Sequence, residues 1–172
     1  ELEVPNTKFS ANLKDAKLNV NSGWAPITDL NAKVTFSNDY VRITGKNAKL
    51  KVIDLSYFNI STRNFNKPDA KLVLFGRFNS DSATISQFIE QSPAPVGVKD
   101  YLNEFELSGD IRGNVTIVAP FQQDTKKKFE VDFDMYVTDN TLNLFDEKFT
   151  VKQYNSHISY RDGMVQAQGK GL

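Results

Sequence analysis

Residues 104–121 read EFELSGDIRGNVTIVAPF. Phe105, Leu107, Gly109, Ile111, Gly113, Val115, Ile117 and Ala119 fall on one parity, and Glu104, Glu106, Ser108, Asp110, Arg112, Asn114 and Thr116 on the other. That is period two over about sixteen residues, against roughly five or six for an average strand. Successive side chains of a strand point to opposite faces, so this run has a dry face and a wet face. The two glycines leave gaps in the dry face and mark where the sheet can bend.

Just upstream, residues 81–103 are the one stretch of helical character. Asp81 or Ser82 can cap, and Ile85, Phe88 and Ile89 recur at helical spacing until Ser92-Pro93 ends the run. A second short turn is expected over Lys99 to Asn103. Before them, Lys71 to Phe78 is apolar on both parities, which predicts a strand covered on both sides. Downstream, Gln122 to Lys128 is a polar loop. Phe129, Val131, Phe133, Met135 and Val137 then alternate with Glu130, Asp132, Asp134 and Tyr136 up to a turn at Asp139-Asn140.

The outer parts follow the same rule. Leu30, Ala32, Val34 and Phe36 alternate with polar residues, Ser37-Asn38-Asp39 turns the chain, and Val41 and Ile43 return. A phase shift at Lys14-Asp15 predicts a turn or bulge. Trp24, after the Asn21-Ser22-Gly23 turn, reads either as a groove contact or as an anchor packed under that turn. The fold class is mainly β: a long twisted antiparallel sheet of about ten strands, curled into an open groove, with one or two short helices.

Composition removes several functions. Among 172 residues, Lys plus Arg equals Asp plus Glu at 21 each, so no net field draws nucleic acid. Cysteine is absent, which excludes disulfides and thiolate metal sites. No stretch approaches the roughly 20 apolar residues of a membrane helix. His157 is the one histidine and falls on a wet parity, and the carboxylates lack a His or Cys companion, so no catalytic or metal site is expected. Gly45-Lys46 and Gly169-Lys170 lack the upstream glycine of a phosphate loop. No cofactor is expected.

The last third resembles the first. LKDAKLNV (Leu13 to Val20) aligns with VTDNTLNL (Val137 to Leu144), and LNAKVTFSNDYVRITGK (Leu30 to Lys46) with YNSHISYRDGMVQAQGK (Tyr154 to Lys170). Each matched pair lies 124 positions apart, as in Asp15 and Asp139, Asn31 and Asn155, or Gly45 and Gly169. The chain, 1–172, then reads as a single fragment of a repeating β-groove, with 13–48 resembling 137–172 and a helical insertion at 81–103. It opens and stops mid-pattern, as a piece of a longer array would.

Area frames the functional question. About ten strands of ~10 residues make a sheet of roughly 48 by 33 Å. A helix of about ten residues, ~15 Å long and ~10 Å wide, covers about a tenth of it. The rest of the dry face must close on itself as a sandwich or curl into a trough holding something apolar. The repeat favours the trough, because repeated troughs join edge to edge.

The order of motifs adds a resemblance. A Trp-Ala-Pro-Ile turn (Trp24 to Ile27) and alternating strands lead to FIEQSP (Phe88 to Pro93). A strand L-x-G-x-I-x-G-x-x-x-I-x-x-P-F (Leu107 to Phe121) and V-x-D-N-x-L-x-L (Val137 to Leu144) follow. This order resembles the repeating region of the AsmA-like superfamily of bacterial envelope proteins, over nearly the whole chain. The resemblance implies a segment of a bridge-like lipid transfer protein. Its β-groove would cross the periplasm between inner and outer membranes, in a protein anchored in the inner membrane by parts outside this fragment. The implied partners are phospholipid acyl chains and adjoining repeats of the same chain.

The residues expected to line the groove are Phe105, Leu107, Ile111, Val115, Ile117, Phe129, Val131, Phe133 and Met135, continued by Val34, Phe36, Val41 and Ile43. The same residues also read as plain core. Ile85, Phe88 and Ile89 form a candidate lid helix, or a helix packed on one edge. The competing reading of the whole chain is a structural or adhesive β-repeat with a closed core and no lipid.

Overall fold

The computed structural model describes residues 7–19, 25–92, 96–121, 130–144 and 148–171. The strands are β1 (Lys8–Leu18), β2 (Ile27–Ser37), β3 (Tyr40–Lys46), β4 (Ala48–Leu50), β5 (Ile53–Arg63) and β6 (Lys71–Asp81). Helices α1 (Ser82–Glu90) and α2 (Val96–Glu104) come next. β7 (Phe105–Ser108), β8 (Asp110–Pro120), β9 (Glu130–Leu144), β10 (Phe149–Arg161) and β11 (Met164–Lys170) complete the chain. Eleven strands among the described residues form one antiparallel sheet, in the order β1-β2-β3-β5-β6-β8-β9-β10-β11. β4 fills in between β2 and β5, and β7 pairs with β9. β1 and β11 are the two ends of that order, so the sheet does not close into a barrel.

Local chemistry sets the hairpins. Ser37 Oγ donates to Asp39 Oδ1 at 3.1 Å in the turn between β2 and β3. Asp162 and Gly163, at φ 51° and 78°, join β10 to β11 with the left-handed pair that a two-residue hairpin requires. The dry parity of nearly every strand enters one apolar cluster, which includes Leu30, Leu55, Phe58, Ile111, Met135 and Ile158.

The structure corrects three sequence-based expectations. The long alternating run from Glu104 is interrupted. Glu104 ends α2, and Gly109 at φ 136° separates β7 from β8. A Cβ at Gly109 would lie 2.8 Å from the Asn140 side chain, so the break needs glycine for both shape and room. Asp139-Asn140 is not a turn but a bulge inside the 15-residue β9. Asp139 is left-handed at φ 55°, and buried Asn140 donates its Nδ2 to the carbonyls of Asp110 at 3.0 Å and Thr138 at 2.9 Å. β6 buries Leu74 and Phe78 on its dry side, whereas Val73 and Phe75 on the other face are only partly buried. There the Phe75 ring rests against Tyr57 at 6.1 Å.

The helical insertion forms as its spacing predicts. Asp81 caps α1, accepting the Thr84 N–H at 2.8 Å and the Thr84 hydroxyl at 2.6 Å. Ser82 roots the helix to the sheet: its N–H donates to the Gly109 carbonyl at 2.9 Å and its Oγ to that of Leu107 at 2.6 Å. Ile85 of α1 and Val98 of α2 are buried in the apolar cluster. α2 begins at Val96, earlier than the short turn read at Lys99.

The two ends of the sheet share an unusual geometry. In β1 and β2, Asp15 and Asp29 are left-handed (φ 49° and 54°). Asn31 bridges them, accepting the Asp15 N–H at 3.4 Å and donating Nδ2 to the Asp29 carbonyl at 3.2 Å. In β9 and β10, Asp139 and Gln153 are left-handed (φ 55° and 50°). Asn155 accepts the Asp139 N–H at 3.1 Å and donates to the Gln153 carbonyl at 2.7 Å. In both places a glycine, Gly45 or Gly169, comes so close to the bridging residue's carbonyl (Asn31 or Asn155) that a Cβ would lie 2.5 or 2.7 Å from it. Two non-glycine residues held at positive φ cost energy that the bridging asparagine offsets.

Two outcomes follow. Replacing Asn140→Ala removes both hydrogen bonds from the bulge and should lower stability by about 0.5–1.5 kcal/mol per bond, read as a lower urea midpoint with an unchanged slope. The hydrogen bonds to Asp81, first from the Thr84 hydroxyl and then from the Thr84 N–H, hold its carboxyl below the usual carboxylate value. A depressed folded-state value means that its support is present above the unfolded value and fades as pH falls through the folded one. Amide exchange at Thr84, corrected for intrinsic rate, should therefore speed up under acid conditions in the native chain. In Asp81→Asn it should show no such pH dependence.

Candidate functional site

The dry face and the α1–α2 hairpin form an apolar cavity of about 70 Å³ between them. Fourteen residues line it, and all but Ser92 are apolar. β4 and β5 supply Leu50, Ile53 and Leu55; β6 supplies Phe78; β8 supplies Val115 and Ile117; β9 supplies Val131, Phe133 and Met135. The roof is Ile85, Phe88 and Ile89 from α1 and Val98 from α2. The Ser92 hydroxyl donates to the Ile89 carbonyl at 2.8 Å, which keeps that end of α1 satisfied. Such a wall offers no directional partner to a ligand; it rewards only the removal of apolar surface from water.

Five residues expected in the groove from the sequence meet around this cavity: Val115, Ile117, Val131, Phe133 and Met135. The three candidate lid residues stand over them. Ile111 is buried in the cluster and Val34 is buried outside it, both away from the cavity walls, and Leu107, Val41 and Ile43 are half-buried. Phe36 lies 42% exposed and faces Phe9, itself 60% exposed, with ring centroids 6.3 Å apart. Phe129, like Trp24, lies outside the described residues, and so does the side chain of Phe105.

The sequence reading missed the wall built by Leu50, Ile53, Leu55 and Phe78. Their alternation was visible, but which strands face α1 depends on how far the sheet curls. One signal did exist. Gly113 sits opposite Phe78 across the β6–β8 pair, and a Cβ there would lie 2.9 Å from the Phe78 ring, so the glycine gap is where that ring enters.

A larger hollow of about 780 Å³ opens on the polar face, between Ser56, Arg77, Asn79, Asp110, Arg112 and Tyr136. It is wide to solvent and carries both signs of charge, so it focuses no field on one kind of ligand. Beside it, His157 stacks on Tyr136 (4.6 Å) and meets Asp134 at 3.0 Å, while Arg161 donates to the other oxygen of Asp134 at 2.6 Å. These are largely exposed contacts of small energetic weight. No group of three His, Asp or Glu among the described residues is placed to hold a metal ion. The apolar cavity is the better candidate site.

No helix among the described residues is long and apolar enough to cross a membrane. No curated protein and no solved structure matches the chain. The family model described as YhdP protein matches residues 6–169, nearly the whole length. The open antiparallel sheet, its helical insertion and this match agree with the motif order that resembles the AsmA-like superfamily, and the chain belongs to the YhdP protein family.

Proposed function

We propose that this chain is a segment of a lipid-carrying groove in a bacterial envelope protein, sheltering phospholipid acyl chains on its dry face while headgroups stay at the rim. One observation carries the reading: an apolar cavity lies between the sheet and its short helical roof, on a face that runs on to the exposed Phe9–Phe36 pair. Acyl chains gain about 0.8 kcal/mol for each methylene taken out of water. Contacts of this kind are alike along the face, so a chain can move from one set to the next without a deep trap. The direction of such movement would be set elsewhere in the longer protein. A location in the periplasm, spanning towards both membranes, goes with this reading and rests on family membership.

The shared bulge geometry supports adjoining repeats as the second partner. Phe9 and Phe36 correspond, 124 positions on, to Phe133 and Tyr160. The latter pair is stacked at 5.5 Å and buried to 6% and 5% exposure, where β8 pairs with β9. The β1 edge would take a β8-type strand from a preceding unit, with Ile111 opposite Leu13 as it is opposite Val137 here. The competing reading, a structural β-segment with a sealed core, draws on the small cavity and on the deep burial of Ile111 and Met135.

Native purification followed by solvent extraction and mass spectrometry separates the two: diacyl phospholipid should accompany the folded chain. Val115→Trp, which fills the cavity, should reduce it several-fold with the sheet's circular dichroism unchanged. A folded chain that carries no acyl lipid, and takes none up from phospholipid vesicles, would leave the sealed-core reading standing. For the repeats, a chain in which residues 7–130 precede residues 7–171 places two units in natural phase. Amide exchange from Phe9 to Leu13 of the second unit should slow to the rate seen for Phe133 to Val137. Exchange as fast as in the single chain would refute edge joining.

A further inference from the structure

The cavity is narrow and partly open as found, and its roof is fastened differently at its two ends. At the root, α1 continues directly from β6, and Ser82 is bonded to the strand carbonyls of Leu107 and Gly109. α2 returns to the same place, running straight into β7. At the far end, the Gln91 side chain accepts a hydrogen bond from Lys51 Nζ, in the turn between β4 and β5. Lys51 and Gln91 are both exposed, and Lys51 is held at φ 59°. Lys99 Nζ donates to the Glu90 carbonyl at 2.8 Å, linking α2 to the end of α1.

The space beneath is about 70 Å³, less than half of the ~150 Å³ apolar cavity that holds one benzene. With the roof in place, that space holds only a small part of an acyl chain. The underside of the roof is made of Ile85, Phe88, Ile89 and Val98, whose contacts with the sheet are the non-directional kind that an acyl chain can replace. A void at such an interface also means that some dispersion contacts are already missing there.

We propose that the α1–α2 hairpin is a gate over an acyl-chain seat formed by Leu55, Phe78, Val115 and Phe133. It swings on the Asp81–Ser82 root, and the Lys51–Gln91 clasp sets how often it opens. This inference rests on the groove reading above and adds control of access to it. The shut roof occupies the place of the ligand, so apparent affinity scales with the fraction of time that the gate is open. Lys51 and Gln91 are positioning residues: neither lines the cavity.

The absence of cysteine makes a direct test practical. In a chain carrying Lys51→Cys and Gln91→Cys, a short bismaleimide joins the clasp covalently. Binding of cis-parinaric acid, a fatty acid that fluoresces in apolar surroundings, is then followed by stopped flow. Joining the clasp should weaken binding by about tenfold or more. The variant Lys51→Ala with Gln91→Ala should bind faster than the native chain, with its unfolding midpoint little changed. Equal rates and affinities in joined, native and clasp-free chains overturn the gate while leaving the groove in place. Absence of saturable binding in every form overturns the groove reading, and the gate with it.

Discussion

Each strand sends alternate side chains to opposite faces, and eleven strands side by side gather their apolar residues into one continuous dry surface. Every other feature answers to that surface. Two helices of nine residues each can cover only part of it. The sheet's ladders are interrupted at the glycine break between β7 and β8 and at register shifts in the β1–β2, β5–β6 and β9–β10 pairs, the kinds of place where a sheet can bend. What the helices and the curl leave over is the apolar cavity in the middle and the exposed aromatic pair at the β1–β2 end.

The helical hairpin is part of the same economy of surface. α1 begins where β6 stops because Asp81 offers a cap and the next apolar residues fall at helical rather than alternate spacing. Its underside resembles the tails of a lipid more than it resembles a neighbouring strand: aliphatic, aromatic and without fixed hydrogen bonds. A roof of that composition can be exchanged for a ligand at little net cost, whereas the ladder hydrogen bonds of the strands cannot. Structure and function therefore divide between the two kinds of element. In the reading proposed above, the sheet supplies the wall and the helices decide when it is used.

Much of this could be read from residues alone, because parity and capping are local. The β2–β3 hairpin at Ser37 to Asp39 and the cap at Asp81 are set by side chains within a few positions of each other. The glycines of that run marked where it could bend, but β7 and β8 keep the same parity across Gly109, so periodicity does not show that the strand breaks there. Asp139-Asn140 looked like a turn because a turn and a bulge both want a left-handed Asp; only Asn155, sixteen residues away, decides between them. The cavity's far wall depends on curvature summed over several strands. No residue of β5 announces that Leu55 will end up beneath Ile85.

The strand order has one further consequence. From β1 to its counterpart β9 the sheet takes six lateral steps, through β2, β3, β5, β6 and β8. At ~4.8 Å a step, a unit of this kind measures about 29 Å across the strands. A twist of roughly 20–25° per step turns the dry face through about 130° over that distance. Where such units follow one another, length is counted in whole repeats like marks on a ruler. The open side then winds around the long axis as a spiral and does not face one direction.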